Sequence, residues 1–459
     1  MPVNTAIEHA RNNRERILED LITFCAIPSI SNNINYYNDV QRAAEWLRDR
    51  LSATGLDNIQ IIPTEGLPIV YAESIKAKSD AKTVLIYGHY DVQPAEAETL
   101  LAWHTNPFEP VIKENNLFAR GATDMKGQIM AALAAVEAIM QTGDLPVNIK
   151  FFLEGEEEIG SPHLETFINA NQDLLSCDLC LNVDTGMIAA DLPTICYGLR
   201  GLTYFELKIF GPKHDLHSGS FGGAIHNPAQ ALCEIIAGMH DAQGKVTLHG
   251  FYDRVHPLSQ EEREELAQLP TDSQFYKNQT GVAELWGEAG YTADERASAR
   301  PTLELNGLYS GFTGEGAKTV LPAYAMAKIS CRLVPDQIPD EVHQQLLKYM
   351  EIHAPATVRW ELTRIGKGAP GIVVERDSWG IRAMSQALEQ VWVKPPLFNR
   401  IGGSVPVVQY IKDIIGVDVI NTGFSLPEDG MHGPNEKLHL PTFYKGIEAL
   451  IHFFFLLNI

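Results

Sequence analysis

Three short runs in the first two hundred residues are apolar without alternating: Thr83–Tyr87, Asn148–Leu153 and Asp178–Val183. A strand with apolar side chains on both faces must be covered on both, so such runs belong inside a sheet. Helical stripes accompany them. Ile17, Leu18, Leu21, Ile22 and Cys25 lie on one helix face, which Pro28 ends. Ala43, Ala44, Leu47 and Leu51 form a second stripe, and Ile129, Leu133, Val136 and Met140 a third, between the first two strands. Buried strands separated by helices predict an α/β unit, a mostly parallel sheet with helices on both faces.

The pattern changes near Arg200. Thr203, Phe205, Leu207 and Ile209 alternate with polar or amphipathic neighbours, as do Ala327, Ile329, Cys331 and Leu333, and then Val358, Trp360 and Leu362. Strands with one wet face, interleaved with helical stripes such as Val342, Leu346 and Met350, predict a small antiparallel α+β domain. After about residue 375 the first pattern resumes, with Ile381, Met384 and Leu388, then Val417–Ile420, then Phe443, Ile447, Leu450 and Phe454. With 459 residues, too many for one ordinary core, the expected organisation is a first domain built from 1–199 and 373–459, with a second, 200–372, inserted into it. Residues 251–300, rich in Glu and Gln, read as a further insertion within the second.

Polar residues collect where the buried strands end. The first run stops at Gly88-His89-Tyr90-Asp91, the second at Glu154 to Glu158, the third at Asp184. In open α/β sheets ligands bind in the crevice outside the strand C-termini. Asp124 precedes a helix in Arg120–Gly127, and His432 lies in the Gly- and Pro-rich loop Pro427–Pro434. His89 and Asp91 can face the same side of an extended segment, so Asp91 can orient the imidazole. Taken singly, each element has a bland reading: a turn pair, a solvated acidic turn, a capping aspartate. Together, two imidazoles and three carboxylates form a donor set that suits zinc, with manganese or cobalt as alternatives. So many carboxylates at one sheet edge repel one another unless cations, two of them sharing one carboxylate, lie between.

At these residues the chain resembles the di-zinc metallopeptidase family of clan MH, which holds aminoacylase, carboxypeptidase G-type enzymes, succinyl-diaminopimelate desuccinylase and the dipeptidases. It stands nearest the non-specific cytosolic dipeptidase and carnosinase branch. The likeness runs through ordered motifs over nearly the whole chain: GHYDVQP (88–94), ARGATDMKGQ (119–128), LEGEEEIGS (153–161), DLHSGSFGG (215–223), GAKTVLP (316–322), RLVPD (332–336), GGSVPV (402–407) and NEKL (435–438). It implies a zinc-peptidase-like catalytic domain and an inserted ferredoxin-like lid and dimerisation domain. It further implies that His89 and Asp184 bind one metal and Glu158 and His432 the other, with Asp124 bridging and Asp91 supporting His89. The pair of glutamates one residue before Gly-Ser is then the functional one, which makes Glu157 the general base and Glu158 the ligand. His217 would stabilise the oxyanion from the partner subunit of a homodimer. Arg332, whose ordinary reading is a solvated arginine on a polar strand face, would pair with the substrate's terminal carboxylate. Thr319, Gly403, Ser404 and Asn306 would line the substrate pocket.

Charge bears on the partners. Acidic residues outnumber basic ones 58 to 36, a formal charge of −22, which disfavours nucleic acid and anionic lipid. No window approaches ~18 consecutive apolar residues, so no membrane span is expected. The polar N-terminus carries no secretory pattern. Six cysteines are sparse, and the lone C-x-x-C of Cys177 and Cys180 lies at the buried strand run Asp178–Val183, so the pair reads as structural thiols in a reducing cytoplasm. The expectation is thus a cytoplasmic, homodimeric metallopeptidase hydrolysing dipeptides or small peptides. The rivals are an aminoacylase or N-acyl amino acid deacylase with the same metal centre, and a non-catalytic ligand-binding relative.

Overall fold

In the computed structural model, which describes residues 2–77, 80–95 and 100–458, the buried runs become adjacent strands. Thr83–His89 lies between Asn148–Glu154 and Leu179–Asn182, and Val419–Asn421 follows. All neighbours in this set are parallel. Alternate residues meet different layers. Tyr87 pairs in register with Phe152, whose ring stacks on Phe167 of the helix Leu164–Ala170 at 5.7 Å between centroids. Gly88 points the other way, where an added Cβ would come within 2.9 Å of both Ile129 and Met125. Both faces are therefore covered, as apolar strands require.

Outside these four the sheet turns antiparallel. Asp57–Ile62 and Ile69–Ser74 form a hairpin, and the second of them pairs antiparallel with Asn148–Glu154. On the opposite side Thr194–Leu199 runs antiparallel to Val419–Asn421. The short connection 63–68 can only turn the chain back, because a parallel return needs a crossover of about a dozen residues or more. The sheet is thus mixed, with a parallel centre. The helix Gly127–Thr142 is buried all round from Gly127 to Ile139. It touches the sheet on one side and the helices Pro2–Asn12 and Leu440–Leu456 on the other. Burying each of its Ile, Leu and Val side chains contributes roughly 1.5–3 kcal/mol.

The chain divides into two compact units, one of Met1–Tyr197, Val374–Asn399 and Pro406–Ile459, the other of Gly198–Val373 and Arg400–Val405. The second unit has its own four-stranded sheet, in the order Thr302–Ser310, Tyr324–Leu333, Gly201–Phe210, Arg359–Ala369, with all neighbours antiparallel. The helices Pro228–Ala237 and Pro339–His353 pack on one face of it, giving the β-α-β-β-α-β order of a ferredoxin-like domain. Phe205, Leu207, Ile209, Ala327, Ile329 and Leu333 face Leu232, Ile235, Leu346 and Met350 in a single core. The strand alternation read from sequence is this one-sided burial. The return of Arg400–Val405 to the second unit lies outside the expected single insertion at 200–372. Nothing in the periodicity of so short a segment marks it.

Candidate metal centre

Three ends of the parallel strands and two loops converge in the first unit. His89 closes its strand, and its Nε2 lies 3.1 Å from Asp124 Oδ1 and 3.7 Å from Asp184 Oδ1. His432 Nε2 lies 2.8 Å from the other oxygen of Asp124 and 3.3 Å from Glu158 Oε2. Two triads result, His89–Asp124–Asp184 and Asp124–Glu158–His432, each with its ligand atoms within 4.8 Å of one another. Asp124 belongs to both and offers one oxygen to each. The donor chemistry fits two divalent ions of the zinc, manganese or cobalt kind.

The electrostatics show what such a cluster demands. Burial raises the Glu157 carboxyl well above its ordinary range, and Asp184, Glu158 and Asp124 add to the effect against the pull of His89. Glu158 is raised by burial too, opposed by its bond to His432. Burial would lower His89, but Asp184, Asp124 and Asp91 more than offset it and hold it well above normal. His432 is pushed up to about 10, first by Asp124 and then by Glu158. Asp124 is drawn low despite burial by the two histidines that touch it. The carboxylates thus keep positive charge on both rings, at the positions where cations would relieve the same repulsion.

Each ligand is held by its surroundings. Asp91, fully buried, accepts the backbone N–H of Glu157 at 3.2 Å and of Glu158 at 3.1 Å, so it fixes the turn that carries both. Its carboxylate is 3.4 Å from His89 Nδ1, while its main-chain oxygen is closer, at 3.1 Å. Gln93 donates to Glu158 Oε2 at 2.8 Å. Glu156 is turned away: it accepts from Leu67 N at 3.0 Å and meets His163 Nδ1 at 2.8 Å. Glu154 accepts from Tyr87 Oη at 2.6 Å and Ser161 Oγ at 3.0 Å. The run of acids is therefore sorted by partner, and Glu157 and Glu158 remain for the cluster.

Two residues with no assigned role in the sequence reading join the ligand loops. Glu436, in the NEKL motif, is fully buried and accepts from Arg120 Nη1 at 2.7 Å, Gly121 N at 3.0 Å, Thr123 N at 3.1 Å and Asp124 N at 3.2 Å. Arg120 also donates to the His432 carbonyl at 3.1 Å. One buried ion pair therefore ties the Asp124 loop to the His432 loop. Gly121 is left-handed at φ 78°, and a Cβ there would lie 2.4 Å from Val92, so the tight approach needs glycine. Lys126, also buried, donates to the carbonyls of Phe24 and Ile27 and anchors the loop from below. In sequence these charges stand among others in the same two segments, Asp124 and Lys126 near Arg120 and Lys437 next to Glu436, so spacing alone did not set them apart.

A profile of Peptidase family M20/M25/M40 matches residues 85–455. The Cys-Gly metallodipeptidase DUG1 of Candida albicans is 31% identical, over 98% of this chain and 96% of that protein. The chain belongs to peptidase family M20/M25/M40. Among solved structures, human carnosine dipeptidase 1 superposes with a TM-score of 0.87 at 27% identity, covering 100% of this chain and 99% of that one. The M20 metallo-carboxypeptidase Sso-CP2 of Sulfolobus solfataricus also gives 0.87, at 32% identity over 96% and 99%. With the family established and both triads in place, the protein is a metallopeptidase with two divalent metal sites, not a non-catalytic relative.

The remaining site residues singled out in the sequence lie in the second unit. His217 is exposed; its Nδ1 accepts from Gly219 N at 3.0 Å, and its Nε2 is 3.4 Å from Thr319 Oγ1. Arg332 Nη1 donates to Ser404 Oγ at 2.9 Å. Asn306 lines the same cavity as Arg332, and Gly403 sits in open space next to Ser404. Cys177 and Cys180 are unbonded, and burial pushes the Cys177 thiol up to about 11, as suits inert structural thiols.

Proposed function

We propose that this metallopeptidase is a homodimeric dipeptidase of the cytoplasm, acting on dipeptides or small peptides. The observation that carries the reading is Asp124, whose two oxygens serve two separate triads. His89 and Asp184 would hold one ion, and Glu158 and His432 the other. When bound, the pair supplies Lewis acidity that activates a water and polarises the scissile carbonyl. Glu157 takes the proton of that water and delivers it to the leaving amine. Asp91 keeps Glu157 and Glu158 in place through their backbone amides. His217, supplied by the second copy, stabilises the developing oxyanion. Arg332 pairs with the terminal carboxylate of the substrate beside Ser404, and Thr319, Gly403 and Asn306 line the pocket.

Support for dipeptides comes from the names of the relatives, a Cys-Gly metallodipeptidase and a carnosine dipeptidase. Support for the homodimer comes from exposed large apolar residues on the second unit's sheet: Leu305, Leu308, Tyr309, Tyr324 and Ile365. Six free cysteines accord with the cytoplasm, and no helix among the described residues is long and apolar enough to cross a membrane. The test is to strip the protein of metal and restore it with zinc, manganese or cobalt singly. Each form is then assayed on dipeptides, N-acyl amino acids and longer peptides. Highest kcat/KM on dipeptides is expected. Preference for N-acyl amino acids or longer peptides would overturn the substrate assignment.

A further inference from the structure

The glutamate-rich stretch 251–300 encloses one side of a cavity of about 470 Å3 in the second unit. Tyr276, Trp286 and Arg296 come from the stretch, and Asn306, Ser330 and Arg332 from the sheet. The stretch also grips the Arg400–Val405 return from two directions. On one side Arg400 Nε donates to Glu262 Oε1 at 2.9 Å, and Nη2 bonds the same oxygen. Both side chains of this pair are mostly buried, at 13% and 15% exposure. The stem of Arg400 runs over Gly198, where a Cβ would lie 2.8 Å from Arg400 Cγ.

On the other side stands Arg200, which donates to Gly402 O at 3.3 Å, Arg296 O at 3.3 Å and Arg300 O at 3.2 Å. Gly402 fits so closely that a Cβ would lie 2.4 Å from the Ala297 carbonyl and 2.6 Å from Arg200 Nη2. The two grips are themselves joined. Arg263, next to Glu262 in the helix Gln260–Leu266, forms a two-pronged pair with Glu295 at 2.6 and 3.0 Å, and Glu295 lies in the helix Ala293–Ser298. The path is continuous, from Arg400 through Glu262, the two helices and Arg200 to Gly402. Two residues further on, Ser404 Oγ accepts from Arg332.

We propose that the 251–300 insertion is a clamp that sets Ser404 against Arg332, with Arg200, Arg400 and Glu262 as positioning residues for recognition of the substrate's terminal carboxylate. This rests on the reading of Arg332 as the carboxylate-binding group. Ser404 restricts the guanidinium to one orientation, and a preorganised fork recognises a planar carboxylate better than a mobile one. Release of the return should weaken binding without touching the proton transfer at Glu157.

Glu262→Gln is the informative variant, because it removes the charge from a mostly buried pair while keeping the size; Arg200 ties down three backbone carbonyls, so its replacement risks the fold. Two quantities are measured on the zinc-loaded protein. The first is hydrogen exchange of the amides in 402–405, which needs no substrate. The second is the ratio of kcat/KM for Ala-Ala to that for its C-terminal amide. In Glu262→Gln, exchange at 402–405 should quicken roughly ten-fold. KM for Ala-Ala should rise about ten-fold with kcat within about two-fold, and the preference for free acid over amide should fall accordingly. The charge swap Glu262→Arg with Arg400→Glu should restore at least about half of that preference. Unchanged exchange in Glu262→Gln, or an unchanged acid-to-amide ratio, overturns the proposal. If the wild type cleaves no dipeptide, the substrate assignment fails instead, and the exchange measurement still decides on the clamp.

Discussion

Replacing Glu436 by glutamine changes one oxygen to an NH2 group at the point where two ligand loops are joined. In the native protein Oε2 receives Arg120 and Gly121 N, and Oε1 receives Thr123 N and Asp124 N. A glutamine can satisfy only one of these pairs. If its oxygen stays on Arg120, its NH2 confronts two backbone N–H groups, each left unpaired at a cost of about 1–3 kcal/mol. Arg120, only 2% exposed, also loses its counter-charge. Breaking a buried pair from one side costs about 3–5 kcal/mol, and that range is the expected loss. At roughly 2 °C per kcal/mol, the metal-free protein should unfold some 6–10 °C lower, measured by calorimetry. The backbone of Asp124 is released as well, so zinc affinity should fall about 10–100-fold in a competition titration. Adding Arg120→Met should recover part of the stability, because it removes the stranded charge, but not the zinc affinity. A single variant that melts and binds zinc like the wild type would refute the role given to Glu436.

Other substitutions separate the acids and the subunits. Glu157→Ala should keep both metals by elemental analysis yet lose about 10²–10⁴-fold in kcat; rates near wild type would remove it as the base. Glu156→Gln should melt lower, since it loses its charge toward His163, while kcat stays close to wild type; a collapse of kcat with both metals retained would shift the glutamate register by one. Mixing His217→Ala with Glu157→Ala should restore about a quarter of wild-type activity, because half the dimers are hybrids with one complete site of two. No recovery in a mixture shown to contain hybrids would mean that each chain uses its own histidine.

Much of the first unit was legible because its signals are local. Apolar runs such as Thr83–Tyr87 need cover on both faces, and the chain supplies it. The antiparallel flanks were less visible: Asp57–Ile62 has one exposed edge and a mixed composition, so periodicity alone did not separate it from a loop. His89, Asp91, Asp124, Glu158, Asp184 and His432 could be proposed together because each stands past a strand end, just ahead of a helix or in a Gly- and Pro-rich loop, and the structure brings all six into one cluster. Glu436 was not given a role, since its four partners are backbone groups and a guanidinium more than three hundred residues away in sequence. Arg400–Val405 escaped assignment for a related reason. Its membership of the second unit depends on Arg200, Glu262 and the close fit of Gly402, which are contacts between distant segments and leave no periodic trace.

The most direct measurement is an anomalous difference map from crystals of the zinc-loaded protein, collected above and below the zinc absorption edge. Two peaks are expected, one beside each oxygen of Asp124 and roughly 3.5–4 Å apart, the first touching His89 and Asp184, the second Glu158 and His432. A single peak, or peaks away from Asp124, would contradict a shared dimetal centre.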